Sequence, residues 1–306
     1  MTTLIECIPN ISEGRRPEVV AAVRNAAVSA GPGVLLLDWT SDADHNRSVL
    51  TFLGDGPALV RAMEAMVAEA LVHVDLTKHE GAHPRLGAVD VIPFVPIRGA
   101  TAADCVALAK ELGARLAEKH GLPVYLYEDA ASSEARRNLA TIRKGEFEGL
   151  GEKMKSPDWK PDFGPDAPHP TGGATVVGAR SPLVAYNINL GTADLSIADR
   201  IAKSIRHLSG GYRFVKAMGV KLEARGIVQV SINMTNTEKT PLHRVFETVR
   251  SEAERFGVPV VGSEIIGLVP QAALVGAAEH YLRLESPAAS QVLENKLLDV
   301  ALAAKE

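Results

Sequence analysis

Two imidazoles, two cations and a carboxylate fall within the eight residues Lys78-His79-Glu80-Gly81-Ala82-His83-Pro84-Arg85. They stand directly before Leu86-Gly87-Ala88-Val89-Asp90-Val91-Ile92, a run that reads as a buried strand. The order His79-Glu80-x-x-His83 is that of a zinc-hydrolase helix, where two histidines one turn apart hold the metal beside a glutamate base. Here that helix is disfavoured. Gly81 costs about 1 kcal/mol against alanine in a helix interior, and Pro84 pushes His83 toward extended geometry. No further pair of strong zinc ligands stands out nearby, so turn chemistry without a bound metal is the expectation. Taken alone, the stretch favours a turn histidine capping a strand over a catalytic one.

The rest of the chain bounds what such a site can serve. A length of 306 residues suggests two domains. Apolar residues make up 46%, enough for sizeable cores, while aromatics at 5% and a formal charge of −4 argue against a single-stranded nucleic-acid platform. The two cysteines, Cys7 and Cys105, cannot form a disulfide framework and suit a reducing compartment. The N-terminus carries Glu6 and Pro9 where a signal peptide would carry an apolar run, and no apolar stretch reaches membrane-spanning length. A cytoplasmic protein with neither nucleic-acid nor membrane partners is expected.

Periodicity places the loop between elements. Strands are expected at residues 4–8, 34–37, 48–53 and 88–92, with helices at 17–29 and 57–71. That order is β-α-β-β-α-β, the ferredoxin-like plan. A helix at 102–120, a strand at 124–127 and a charged helical stretch at 132–144 follow. Residues 145–173 are broken by prolines and glycines into a long loop anchored by Trp159 and Phe163. Beyond it, strands at 183–190, 216–222, 227–234 and from 259, with helices at 196–208 and 240–256, repeat the plan. Helices at 270–282 and 287–305 close the chain. The fold expected is α+β: two ferredoxin-like subdomains, residues 1–180 and 181–306, with packed sheets and outer helices.

Several stretches together resemble the glutamate formimidoyltransferases. They are Glu6-Cys7-Ile8-Pro9-Asn10-Ile11-Ser12-Glu13-Gly14; His83-Pro84-Arg85 with Gly87-Ala88 and Asp90; and Asp158-Trp159 with Pro161-Asp162. The third continues as Phe163-Gly164-Pro165-Asp166-Ala167-Pro168-His169-Pro170-Thr171-Gly172-Gly173 and on through Arg180 to Asn187-Ile188-Asn189-Leu190. Val258-Pro259-Val260-Val261-Gly262-Ser263 and Gly267-Leu268-Val269-Pro270 also match, so the likeness runs to about residue 282. It implies that His83 is the general base, that residues 163–173 bind folate, and that tetrahydrofolate is a co-substrate with no metal needed. It further implies transfer of a formimidoyl group from N-formimidoyl-L-glutamate to N5 of tetrahydrofolate, within histidine degradation. Thr171-Gly172 replaces the serine and bulky aromatic of animal members, so contacts to the pterin differ. The chain leaves no room for the cyclodeaminase fused to animal members; a separate cyclodeaminase downstream, and an assembly compatible with a homodimer, are expected.

The chemistry asks for a group that takes a proton from an amine and returns one to another nitrogen, which a neutral imidazole does at neutral pH. Lys78 or Arg85 would hold His83 neutral by like charge. Both substrates carry carboxylates, which arginines clamp best as bidentate partners. Candidates are Arg47, Arg85, Arg98 and Arg180, although a surface or loop-bracing role is the better reading of any one of them alone. Asp38 and His45 stand on a strand-end rim, and turn formation is an equally good reading of Asp38, Asp44 and His45. Competing readings are formyl transfer from N-formyl-L-glutamate, a metallohydrolase using His79 and His83, and a non-catalytic small-molecule sensor, which fold alone would permit.

Overall fold

The computed structural model describes residues 3–285 and 289–303. The chain forms two compact units, Met1–Arg180 and Ser181–Glu306.

In the first unit, β1 (Leu4–Cys7), β2 (Asn10–Ile11), α1 (Pro17–Ala30), β3 (Leu35–Asp42), β4 (Arg47–Gly54), α2 (Gly56–His73) and β5 (Val89–Arg98) follow the β-α-β-β-α-β order. Pro9, which has no N–H to give a ladder, separates β1 from β2. Both pair antiparallel with β4 on one side and β5 on the other, and β3 lies outside β4. This is the ferredoxin-like arrangement. Beyond β5 come α3 (Ala102–His120), β6 (Val124–Glu128), α4 (Leu139–Arg143), α5 (Glu146–Lys153) and β7 (Thr175–Ala179). β7 slots between β5 and β6, parallel to both.

Strand alternation gives this sheet two faces. Cys7, Phe52, Phe94 and Val177 point into the main core with α1, α2 and α3. Val91, Tyr125, Tyr127 and Val176 belong to a smaller core with Ile142 of α4 and Leu150 of α5. α2 starts on the Asp55 carboxylate, which accepts the Ala58 N–H at 2.7 Å. α3 starts on a capping box of Thr101 and Asp104, and ends at Gly121 with φ 59°.

The second unit repeats the order with β8 (Val184–Leu190), α6 (Leu195–Ile205), β9 (Val215–Leu222), β10 (Ile227–Met234), α7 (Leu242–Arg255) and β11 (Val260–Ile266). Its antiparallel sheet runs β11-β8-β10-β9. α8 (Gln271–Leu282) and α9 (Leu293–Ala303) follow. Residues 287–288 and 304–305 of the expected last helix lie outside the described residues.

Some expectations need correcting. β3 does not stop at Asp38 but runs to Asp42, because β4 offers a ladder as far as Asp42 opposite Arg47. The charged stretch after β6 is not one helix: Asn138 caps Ala140 N–H and starts a separate five-residue α4. Residues 145–173 are not all irregular, since no proline precedes Pro157 there and α5 forms. β7 went unrecognised, and the loop before it therefore leads back into the first sheet rather than joining the two repeats. Among the described residues, no helix is long and apolar enough to cross a membrane.

Candidate active site

Asp90 is the fixed point of the site. It sits in β5, 1% exposed. Its Oδ1 accepts the Leu86 N–H at 2.7 Å, which closes the turn after Pro84. Its Oδ2 accepts from Arg143 Nη2 at the end of α4, and lies 3.4 Å from His83 Nε2. Arg143, the His83 hydrogen bond and the Leu86 N–H outweigh burial and keep the Asp90 carboxyl below its ordinary range. An ionised carboxylate can only accept, so His83 carries its proton on Nε2 and its lone pair on Nδ1. Arg47 Nη1, from the start of β4, stands 3.5 Å from Nδ1.

His83 is 5% exposed. Burial pushes its pKa down, Asp90 pulls it up, and Arg143 and Arg47 push it down again, leaving it below the usual 6.5. The imidazole is therefore neutral at pH 7, as a base must be. Lys78 is not responsible: its Nζ pairs with Asp75 at 3.1 Å on the surface. Nor is Arg85; the cations acting on His83 are Arg143 and Arg47.

Local backbone contacts explain why these residues fold this way. Gly81 presses against the turn between β3 and β4: a Cβ there would lie 2.4 Å from the His45 carbonyl oxygen. Asn46, with φ 48°, donates to Glu80 O at 2.9 Å, and Ala82 N–H donates to Asp44 O at 3.1 Å. The β3–β4 turn and the 79–83 segment thus hold each other, bringing Arg47 beside His83.

The apparent zinc helix is not formed, because residues 78–86 are turn and coil. His79 uses both ring nitrogens elsewhere, Nε2 on Asn46 O at 3.0 Å and Nδ1 on Arg85 Nε at 3.2 Å. Arg85 places its remaining donors on Glu146, Glu148 and His79 O, at 2.6 to 3.3 Å. It braces the loop against α5, the loop-bracing alternative to a substrate clamp.

The other expected substrate residues are dispersed. Asp38 pairs opposite Thr51, and Asp42 opposite Arg47. By alternation Asp38 therefore shares a sheet face with Arg47, about 13 Å along the strand. His45 is half exposed, and its ring sits 3.1 Å from Asp42 rather than in contact with His83. The Arg180 N–H donates to Phe94 O at 3.1 Å, so it lies about 13 Å along β5 from Asp90. It acts there on Glu6 and Tyr127. Arg98 ends β5, at the opposite end from Asp90.

The expected folate loop packs on the segment that carries His83. Thr171 O accepts Leu76 N–H at 2.8 Å, and Gly172 O accepts Ala88 N–H at 3.0 Å. His169 and Gly173 exchange backbone hydrogen bonds at 2.9 and 3.0 Å, while His169 Nδ1 accepts the Gly172 N–H at 2.9 Å. Gly173 has φ 68°, and a Cβ there would lie 2.2 Å from Leu86 O. Phe163 pairs with Val124, residues 164–167 are exposed, and Asp166 pairs with Lys160. Sequence reasoning gave Asp90 no role and missed Arg143. Asp90 closes the motif that opens with His83-Pro84-Arg85; Arg143 is 53 residues from its partner, and no spacing signals it.

Residues 4–180 match the formiminotransferase domain, N-terminal subdomain, and residues 185–304 match the formiminotransferase domain. A glutamate formimidoyltransferase of Streptococcus pyogenes serotype M1 is 51% identical over 299 residues, covering 97% of this chain and 100% of that one. One from Thermoplasma acidophilum is 46% identical, covering 96% and 97%. The formimidoyltransferase-cyclodeaminase of Gallus gallus is 46% identical over 93% of this chain, which spans 53% of its length.

Proposed function

This chain belongs to the formiminotransferase family, and from that premise we propose how its own residues do the work. The enzyme is a glutamate formimidoyltransferase, moving the formimidoyl group from N-formimidoyl-L-glutamate to tetrahydrofolate and releasing L-glutamate. Tetrahydrofolate supplies the nucleophilic amine, N5. His83 accepts a proton from that amine at Nδ1 and returns it to the departing glutamate nitrogen. Asp90, held by Arg143, keeps Nε2–H in place and stabilises the imidazolium while it carries the proton. A positioned acid–base group of this kind contributes about 10²–10⁴ in rate. Arg47 opposes that charge in the resting enzyme and is the cation nearest the reacting atoms, placed to meet a substrate carboxylate.

Residues 163–173 fit tetrahydrofolate as a proline-stiffened loop that is exposed at 164–167 and fixed to the His83 segment through Thr171 and Gly172. No step needs a metal or a covalent enzyme intermediate. The observation that carries this reading is the line Arg143–Asp90–His83, with the loop packed beside it. A homodimer, a cytoplasmic location consistent with two free buried cysteines, and a separate cyclodeaminase for ring closure belong to the same proposal.

A donor screen tests it. With tetrahydrofolate present, N-formimidoyl-L-glutamate should give the absorbance change of a 5-substituted folate, and His83→Ala should remove it. Turnover with N-formyl-L-glutamate alone would move the assignment to formyl transfer. Binding of both substrates without turnover would support the sensor reading.

A further inference from the structure

Arg143 must hold its position for Asp90 to serve His83, yet it is the last residue of a helix only five residues long. So short a helix has little stability of its own, and its last carbonyls lack partners within the helix. Lys153, at the end of α5, supplies them. Its Nζ donates to Thr141 O at 2.8 Å, Ile142 O at 2.6 Å and Lys144 O at 3.2 Å, using all three N–H bonds of an ammonium. The same Nζ stands 3.9 Å from the centre of the Trp159 ring.

We propose that Lys153 is a positioning residue for the reaction. Its ammonium fixes the end of α4, α4 fixes Arg143, and Arg143 fixes the Asp90–His83 pair. Lys153 touches no reacting atom. The inference rests on the reading of His83 as the base.

A consequence is a second pH control on the site. The titratable and charged groups around Lys153 are Lys144, whose carbonyl it caps, and Arg136 over the same Trp159 ring, itself paired with Asp162 at 3.0 Å. No carboxylate pairs with Lys153 among the described residues. Burial, with a smaller push from Lys144, lowers the Lys153 pKa to about 8. A neutral amine has only two N–H donors and turns a lone pair toward a third carbonyl. Above that pH the end of α4 loosens, and Arg143 with it.

The experiment is the pH profile of kcat for wild type, Lys153→Met and Lys153→Arg, with N-formimidoyl-L-glutamate and tetrahydrofolate both saturating. Wild type should lose rate above about pH 8. Lys153→Met should be up to about 100-fold slower at pH 7, the cost of a small displacement near the chemistry. Its KM values should hold, and its profile should lack the alkaline decline. Lys153→Arg, charged throughout, should move that decline to higher pH, and decides the matter if Lys153→Met does not fold. A wild-type kcat flat to pH 9, or an alkaline limb unmoved by either variant, would overturn the inference. Failure of the His83 reading shows separately, as an acid limb that survives in His83→Ala.

Discussion

His83 Nε2 and Asp90 Oδ2 face each other across 3.4 Å in a site where both side chains are almost fully buried. Seven residues apart, they meet because Pro84 turns the chain and the Leu86 N–H closes that turn on Asp90. The pair fixes which imidazole nitrogen can act, and Arg143 keeps the carboxylate ionised.

Asp90→Asn tests this tautomer control. An amide can offer N–H to His83, which would leave the imidazole proton on the wrong nitrogen. Loss of kcat by about 10²–10⁴ is expected, with KM little changed. The variant should also be less stable at neutral pH, because Arg143 is left without its partner. The Asp90 pKa is lowered in the folded protein, so its contribution is present above the unfolded value near 4 and is lost as pH falls through the folded value. Thermal unfolding of the two proteins should therefore converge on strong acidification. Equal stability at pH 7, or an unchanged kcat, would contradict the assignment.

Arg47→Gln addresses the second neighbour. Arg47 lowers the His83 pKa. Without it, the acid limb of kcat/KM should move to higher pH, toward the ordinary histidine value of about 6.5. If Arg47 also meets a substrate carboxylate, KM for one substrate should rise. A limb that stayed in place would remove Arg47 from the electrostatics of the base.

Gly173→Ala tests the folate loop. The left-handed backbone at Gly173 and the nearness of Leu86 O leave no room for a methyl group. A stability cost of about 1–3 kcal/mol is expected from the strain, together with a raised KM for tetrahydrofolate. Wild-type tetrahydrofolate affinity would place the folate elsewhere.

Much of this architecture was legible beforehand, and the reasons are local. Proline and glycine positions marked the strand and helix ends of both repeats, and Gly81 and Pro84 argued against the zinc helix. Both signals, the second of which disfavoured that helix without excluding it, are written within a few residues. What escaped depended on contacts distant in sequence. β7 is a five-residue strand that forms because β5 and β6 leave a gap for it. Arg85 was one of four candidate clamps with nothing in the sequence to choose among them, and only the fold brings Glu146, Glu148 and His79 to its donors. Arg143 looked like a surface charge in a polar stretch, and only the fold brings it to Asp90.

The most direct test of the central claim is the pH dependence of kcat/KM for wild type and His83→Ala. In wild type the rate should fall on the acid side with an apparent pKa below about 6.5, as burial and the two arginines require. In His83→Ala, kcat should drop by about 10²–10⁴ while tetrahydrofolate affinity is kept, and the acid limb should vanish. His79→Ala should do much less, since His79 is engaged with Asn46 and Arg85. Comparable losses at both histidines, or an acid limb that survives removal of His83, would contradict it.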